Sequence, residues 1–390
     1  MTAGNDRLGP NEALIGTPGS RMLLDTPALC LDIDAMERNI AAMAAFCRDK
    51  GVVLRPHAKT HKSVKIAQRQ IASGAVGACC ATMGEAEVMA AGGIPGVLVT
   101  SPQVTPPKIA RLIALNLAAE NGFAVVVDHP QNVADLSQAA HASGKPLDVL
   151  LDFSCGHHRT GAATQDDAVA LAHAIEAAGG LRLTGLQAYY GNLQHIGDRA
   201  ERHERTRRQH AAIAGLVRKL RAAGFAVPVV TGAGTGTHDI DAGAGVFTEL
   251  QAGSYVFMDV EYANALRDGR NALPFETSLF VQTAVVSIES AKVPGGYVTT
   301  DAGLKCFATE GPKPEVTAVF GSGAGYGYAY AGDEHGRLFF TPAQPVPALG
   351  ERIEVMTPHC DPTVNLHDFY HLVRGDTLVD IWPVDARGKR

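Results

Sequence analysis

Residues 148–190 read DVLLDFSCGHHRTGAATQDDAVALAHAIEAAGGLRLTGLQAYY, and this stretch decides the fold. DVLLDF (148–153) is a short, almost wholly apolar run of the kind that makes a strand covered on both faces. DDAVALAHAIEAAGG (166–180) is Ala-rich and amphipathic and ends in Gly179-Gly180, a helix stop. LTGLQAYY (183–190) is strand-like again. Strand, helix, strand in that order implies parallel pairing through a right-handed crossover. The unit repeats outward from there. VVLRPH (52–57), GACCAT (77–82), VLVT (97–100) and AVVVD (124–128) precede it, and PVVTGAG (228–234) and ELQAGSYVFM (249–258) follow. Helix-like segments such as SVKIAQRQIASG (63–74) lie between them, and Asp198 to Gly224 reads as one solvated helix. Eight runs at this spacing predict an α/β fold, a (β/α)8 TIM-like barrel over residues 34–262. A doubly wound open sheet is the alternative, weakened because no GxGxxG follows the first run.

Past residue 262 the texture changes. SLFVQTAVVSIES, GYVTTDAG, RLFFTP, ERIEVMTPHCDPT and TLVDIWPV are strand-like, with the turn signals DEHG, GD and ARG between them, so residues 263–390 read as a C-terminal all-β domain. The early strand ALCLDI (28–33) has no place in the barrel count, and residues 1–33 are assigned to that β domain, with partial disorder expected before Leu24. Net charge is −6 and long basic runs are absent, which argues against a nucleic-acid partner. No apolar run reaches the length of a membrane helix, and the N-terminus lacks the order of a signal peptide, so a cytoplasmic protein is expected. Seven cysteines at irregular spacing, with no CxxC, speak against a disulfide framework or a zinc knuckle.

The chemistry concentrates at the ends of the strand runs. The first ends RPHAKTHKS (55–63), and strand alternation sets Arg55, His57, Lys59 and His61 on the interior face, with Lys59 near the C-terminal mouth. Cationic neighbours and desolvation should depress the pKa of that lysine and favour the nucleophilic amine. A merely solvated lysine is the structural alternative. The seventh and eighth runs end in TGAGTGT (231–237) and QAGSY (251–255), where a barrel commonly binds phosphate, and Thr235, Thr237 and Ser254 add hydroxyl donors. TPHCDPT (357–363), taken as a strand, turns His359 and Asp361 to one side and Cys360 to the other; one imidazole and one carboxylate suit Mn, Mg, Co or Zn.

RPHAKTHKS, the GAGTG turn, LQAGSYVFMD (250–259), DAGLK (301–305) and HCDPTVNLHD (359–368) resemble the D-threonine aldolase and D-serine dehydratase family, from TPALCLDID (26–34) to PVDARG (383–388). The resemblance implies the alanine-racemase-like fold and pyridoxal phosphate as cofactor. It implies that Lys59 bonds the cofactor, that Arg159 in CGHHRTG lies near its phenolic oxygen and Tyr189 in QAYYG near its pyridine nitrogen, and that Gly234, Thr235, Gly236, Thr237, Gly253, Ser254 and Tyr255 hold the phosphate. Dehydratases of this family resemble HxC with zinc and aldolases HxD, more often with manganese or magnesium. Asp361 at the deciding place implies an aldolase that cleaves a D-β-hydroxy amino acid to glycine and an aldehyde. His195, in GNLQH after the sixth run, is the candidate base, with a metal-bound water as the alternative. One departure stands out: related aldolases tend to read CCQKVSEAE where this chain reads CCATMGEAE, so Ala81 replaces a Gln whose role Thr82 could take over. A D-serine or D-threo-3-hydroxyaspartate dehydratase, an amino-acid racemase and a non-catalytic cofactor carrier are the other readings. A homodimer is expected from the family.

Overall fold

The computed structural model describes residues 8–120, 122–265, 274–323 and 325–390. After β1 (Ala28–Asp32), the eight apolar runs form β2 (Val53–Leu54), β3 (Cys79–Cys80), β4 (Val97–Val99), β5 (Phe123–Val127), β6 (Leu147–Asp152), β7 (Leu181–Ala188), β8 (Val229–Gly232) and β9 (Glu249–Leu250). They pair in parallel in the order β2-β9-β8-β7-β6-β5-β4-β3. The ring closes between β2 and β3, where Val76 N donates to Leu54 O (2.9 Å), Cys79 N to Pro56 O (2.9 Å) and Ala58 N to Cys79 O (2.8 Å). The barrel has no free edge, which removes the unpaired backbone that an open sheet exposes.

The helices are α1 (Ile33–Lys50), α2 (Val64–Ala72), α3 (Met83–Ala91), α4 (Pro106–Ala118), α5 (Pro130–Ser143), α6 (Gln165–Ala178), α7 (Arg199–Ala222), α8 (His238–Gly243), α9 (Val260–Ala265) and α10 (Cys360–Val364). Local chemistry sets their ends. Thr164 and Asp167 form a capping box at the start of α6, and Gly51 and Gly144 close α1 and α5 in the left-handed conformation. Leu171, Ala172 and Ile175 of α6 are fully buried against the barrel, and a large aliphatic side chain such as Leu171 or Ile175 contributes roughly 1.5–3 kcal/mol. The helix α7 is only partly solvated: Arg202, Thr206, His210, Ile213, Leu216 and Leu220 form a buried stripe. The Arg202 guanidinium donates there through Nη1 to the carbonyls of Ile196 and Ala265. Among the described residues no helix is long and apolar enough to cross a membrane.

The second sheet contains β10 (Leu279–Ser287), β11 (Tyr297–Thr300), β12 (Glu315–Val319), β13 (Gly327–Tyr330), β14 (Gly336–Phe339), β15 (Arg352–Met356), β16 (Phe369–Arg374) and β17 (Thr377–Pro383). Its path is β13-β14-β11-β10-β1-β16-β17, with β12 beside β15 and β15 beside β10. β1 runs antiparallel to β10 and parallel to β16. The disorder expected before Leu24 does not extend over residues 8–24. Gly16 N donates to Leu378 O (2.8 Å), Arg21 N to Asp376 O (2.9 Å), and the Asn11 amide meets His371 Nε2 at 3.0 Å. Residues 1–7, to which the same expectation applied, lie outside the described residues.

The two sheets are joined at the barrel mouth. Asp259, fully buried, accepts from Tyr262 N (3.0 Å) and Cys360 N (2.9 Å), fastening α10 to α9. The Tyr370 hydroxyl donates to His61 O (2.6 Å), and Ala386 N donates to Lys62 O (2.9 Å). The Lys62 ammonium pairs with Glu85 in the interior. The C-terminal domain therefore delivers α10 to the turn that carries Lys59.

Candidate active site

Strand alternation holds through His57 and then fails. Thr60 N, His61 N and Lys62 N fold back onto the carbonyls of His57 and Ala58, so residues 58–62 form a turn. Arg55 and His57 still point inward. Arg55 pairs with Glu249 on β9 (2.9 Å), and His57 Nε2 meets Thr100 Oγ1 (3.1 Å). His61 leaves that face and is buried near β16, with its Nδ1 accepting from Ser63 N (3.1 Å).

The turn lifts Lys59 to the wall of a cavity of about 250 Å³. The other walls include His57, Thr100, Arg159, Gln187, Tyr189, Gly234, Thr235, Gly253, Ser254 and Tyr262. Lys59 Nζ pairs with Asp361 of α10. The expected depression of its pKa is reversed. Enclosure does oppose the charge, but the Asp361 carboxylate outweighs it and holds the amine protonated above its ordinary range. Burial pushes the Asp361 carboxyl up, yet Lys59 and His359 together bring it below the usual carboxylate range. His57, one of the neighbours expected to be cationic, is neutral, because burial and then Lys59 push it well below an ordinary imidazole.

The glycine turns divide into a near and a far side. Gly234, Thr235, Gly253 and Ser254 line the cavity; Gly236, Thr237 and Tyr255 sit behind it. Gly236 N donates to Gln194 Oε1 (3.0 Å), and Thr237 Oγ1 donates to Asp241 Oδ2 (2.5 Å). Tyr255 N donates to Thr235 Oγ1 (3.0 Å), while its hydroxyl accepts from Gln70 (3.0 Å). A side chain at these close approaches would force a neighbour to move. A Cβ on Gly234 would collide with the Gln194 amide, and one on Gly253 would lie 2.5 Å from Thr60 Oγ1. Gln194 escaped sequence reading, although its place just before His195 in GNLQH was the available signal. Its side chain ties this loop to Tyr190, which shares Asp241 with His210.

Arg159 lies in the cavity wall with its guanidinium 5.6 Å from the Tyr189 ring centre. Beneath its loop, Thr160 donates to Asp152 (2.7 Å) and Gly161 N to Asp128 (3.0 Å). Burial pushes the Asp152 carboxyl up to about 6, against the hydrogen bonds from Thr160 and Gln187. Ala81 is in the wall, but Thr82 is turned away as the cap of α3, with its hydroxyl accepting from Glu85 N (3.2 Å) and donating to Lys389 O (3.3 Å). Thr82 therefore does not stand in for a glutamine at position 81.

TPHCDPT is not a strand. His359 caps α10, and Cys360 and Asp361 begin the helix, with Cys360 buried. The helical start still turns Asp361 toward Lys59. His359 Nδ1 stands 3.4 Å from Glu310 Oε1 and 3.9 Å from Glu261 Oε2. His195 Nδ1 faces the other oxygen of Glu261 at 3.2 Å, and its ring packs on Tyr262 with centres 4.5 Å apart. Its Nε2 is buried with no hydrogen-bond partner. Burial, then His359, push the His195 imidazole down to about 4, so it is neutral. Glu261 and Glu310 were not singled out in sequence, where an acidic residue in a short helix or loop carries no special mark. His367 Nε2 donates to Cys306 O (2.9 Å) and belongs to the support of the loop beyond β11. Among the described residues no three His, Cys, Asp or Glu side chains converge as a complete metal set.

The alanine racemase N-terminal domain family matches residues 31–261, and the putative serine dehydratase domain family matches residues 278–373. The chain is 41% identical to a D-threonine aldolase of Arthrobacter sp. over 97% of its length and 96% of the relative's. It is 37% identical to a 3-hydroxy-D-aspartate aldolase of Paracoccus denitrificans, covering 94% of this chain and 93% of that one. Its fold superposes on the crystal structure of D-threonine aldolase from Filomicrobium marinum with a TM-score of 0.87 at 42% identity, over 94% of this chain and 96% of the other.

Proposed function

Because this chain belongs to the D-threonine aldolase family, built on the alanine-racemase fold, we propose that it is a carbon–carbon lyase that cleaves D-β-hydroxy amino acids to glycine and an aldehyde, with pyridoxal phosphate and a divalent metal. The reading rests on one observation: the Lys59 amine and the turns at Gly234-Thr235 and Gly253-Ser254 border the same 250 Å³ cavity. A cradle where a Cβ would crowd Gln194 and Thr60, hydroxyls on both turns and an amine in the same wall suit a phosphorylated aldehyde. Lys59 would hold that aldehyde, Gly234, Thr235, Gly253 and Ser254 its phosphate, and Arg159 and Tyr189 its ring. Gly236, Thr237 and Tyr255 would act behind the cradle. Bound there, the cofactor supplies an electrophilic carbon and an electron-accepting ring.

The chain's own residues supply the proton chemistry. Lys59 carries a proton opposite Asp361, and its amine becomes nucleophilic only when that proton leaves. Glu261 at 3.2 Å fixes the proton of His195 on Nδ1, which leaves the lone pair on Nε2 bare. That lone pair is suited to take the proton of the β-hydroxyl. Lys59 is suited to return one to the α-carbon of glycine. His359 and Asp361, an imidazole and a carboxylate, would hold a divalent cation, which would supply the acidification of the hydroxyl.

Manganese, a homodimer and a cytoplasmic location are parts of the same proposal. The ligand types, the family fold and seven free buried cysteines, which suit a reducing compartment, support them respectively. Residues 34–262 would be the cofactor unit, with 1–33 and 263–390 the unit that brings the metal ligands. Purified holoenzyme should be yellow, and borohydride should fix the label on the peptide that contains Lys59. Incubation with D-threonine and Mn should yield glycine and acetaldehyde, abolished by EDTA. Ammonia with a 2-oxo acid would instead establish the dehydratase.

A further inference from the structure

Buried phenols in this protein find partners. The hydroxyl of Tyr190 donates to Asp241, that of Tyr326 to Pro345 O (2.9 Å), that of Tyr328 to Ala302 O (2.5 Å) and that of Tyr370 to His61 O (2.6 Å), while that of Tyr255 accepts from Gln70 (3.0 Å). Tyr262 breaks the pattern. It is only 6% exposed, it borders the same cavity as Lys59, and among the described residues its hydroxyl makes no hydrogen bond. The neighbouring His195 Nε2 is sealed off without a partner, whereas the Tyr262 hydroxyl keeps its little exposure on the cavity side.

Its placement is firm. Tyr262 N donates to Asp259 (3.0 Å), the carboxylate that also captures Cys360 N (2.9 Å), so one group sets both this phenol and the start of the helix that carries Asp361. The ring packs edge-on against His195 with centres 4.5 Å apart. Burial, then the neighbouring Tyr189, Asp259 and Asp361, hold its pKa well above the ordinary phenol range, so the group keeps its proton and serves as a donor. A neutral donor without a partner suits a substrate oxygen that gains negative charge. The α-carboxylate has a cation in the cavity wall, Arg159. The β-oxygen belongs to the side of Asp361 and His359 in the reading above, and that is the side on which Tyr262 stands, at the start of α9 against α10.

Resting on the aldolase reading above, we propose that Tyr262 is a further catalytic residue, whose hydroxyl donates a hydrogen bond to the β-oxygen of the substrate as that oxygen loses its proton and becomes the carbonyl oxygen of the aldehyde. The phenol keeps its own proton throughout. The proton of the β-hydroxyl goes to the base, and the electron pair of the broken Cα–Cβ bond stays with the α-carbon. Tyr262→Phe removes the hydroxyl and leaves the ring against His195. In the Mn-loaded holoenzyme, kcat for D-threonine should fall about ten- to hundredfold, the worth of one hydrogen bond to a charged oxygen. Spectroscopic titration with glycine, which has the carboxylate and lacks the β-oxygen, should give the wild-type dissociation constant. That titration also shows that the variant is folded and holds its cofactor. A loss of glycine affinity as large as the loss of kcat would assign the phenol to the carboxylate, and an unchanged kcat would leave it without a catalytic role; either overturns the proposal and leaves the aldolase reading intact. A wild-type holoenzyme that cleaves no D-β-hydroxy amino acid overturns the aldolase reading and this inference with it.

Discussion

Replacing Asp259 by Ala should loosen the metal ligands without touching them. Asp259 is fully buried, and its two oxygens accept from Tyr262 N at 3.0 Å and Cys360 N at 2.9 Å. Removing the carboxylate strands both N–H groups at the starts of α9 and α10. An unsatisfied buried donor costs about 1–3 kcal/mol, so two cost about 2–6 kcal/mol, a large share of the roughly 5–15 kcal/mol that stabilises a typical fold. Part is recovered, because burial raises the Asp259 pKa and the fold no longer desolvates a charge. The pH dependence has a definite sign. Between the ordinary and the raised pKa, the folded state keeps a proton that the unfolded state has lost, so rising pH removes stability across that window. In Asp259→Ala that slope should disappear. Urea denaturation followed by tyrosine fluorescence or circular dichroism should show a lower midpoint at unchanged slope. The Mn concentration for half-maximal turnover should rise about tenfold or more, since the element bearing His359 and Asp361 is released first. A variant with the wild-type midpoint and the wild-type Mn requirement would refute the reasoning.

Further outcomes are expected. Gln194→Ala should weaken retention of pyridoxal phosphate by about 1–2 kcal/mol, read by spectroscopic titration, because Gly236 N loses its partner and the Thr237 hydroxyl keeps only Asp241; unchanged cofactor affinity would deny Gln194 that positioning role. His371, buried between Asn11 and Leu29 O, is pushed down to about 4 mainly by burial, so the unfolded chain binds its proton first as pH falls. Stability should drop between pH 6.5 and about 4 by on the order of 3 kcal/mol at most, and His371→Phe should flatten that slope in denaturation at pH 7 and pH 5. Lys59→Ala should lose the yellow colour and the borohydride label together; a label that persists at another residue would displace Lys59 from its role.

Much of the barrel was legible because burial leaves a local trace. A strand covered on both faces must be apolar along its length, and the helix after it must carry an apolar stripe, so DVLLDF, DDAVALAHAIEAAGG and LTGLQAYY report their elements without knowledge of neighbours. The glycines of TGAGTGT and QAGSY likewise announce close approaches of backbone. What each approaches was not legible. Gly234 and Gly253 face the cavity, while Gly236 serves Gln194, a difference decided by a residue 42 positions away.

Tertiary structure alone decided the electrostatics. Lys59 and Asp361 are separated by 302 positions, and no local pattern tells a lysine on a strand end that a carboxylate from another domain will hold its proton. The same holds for Glu261, which sets the tautomer of His195, and for Glu310, which flanks His359. TPHCDPT begins a helix rather than a strand because Asp259 captures Cys360 N, a contact across 101 positions. Periodicity is a property of one segment and survives in the sequence. Charge state and proton position are properties of pairs, and pairs exist only once the chain has closed on itself.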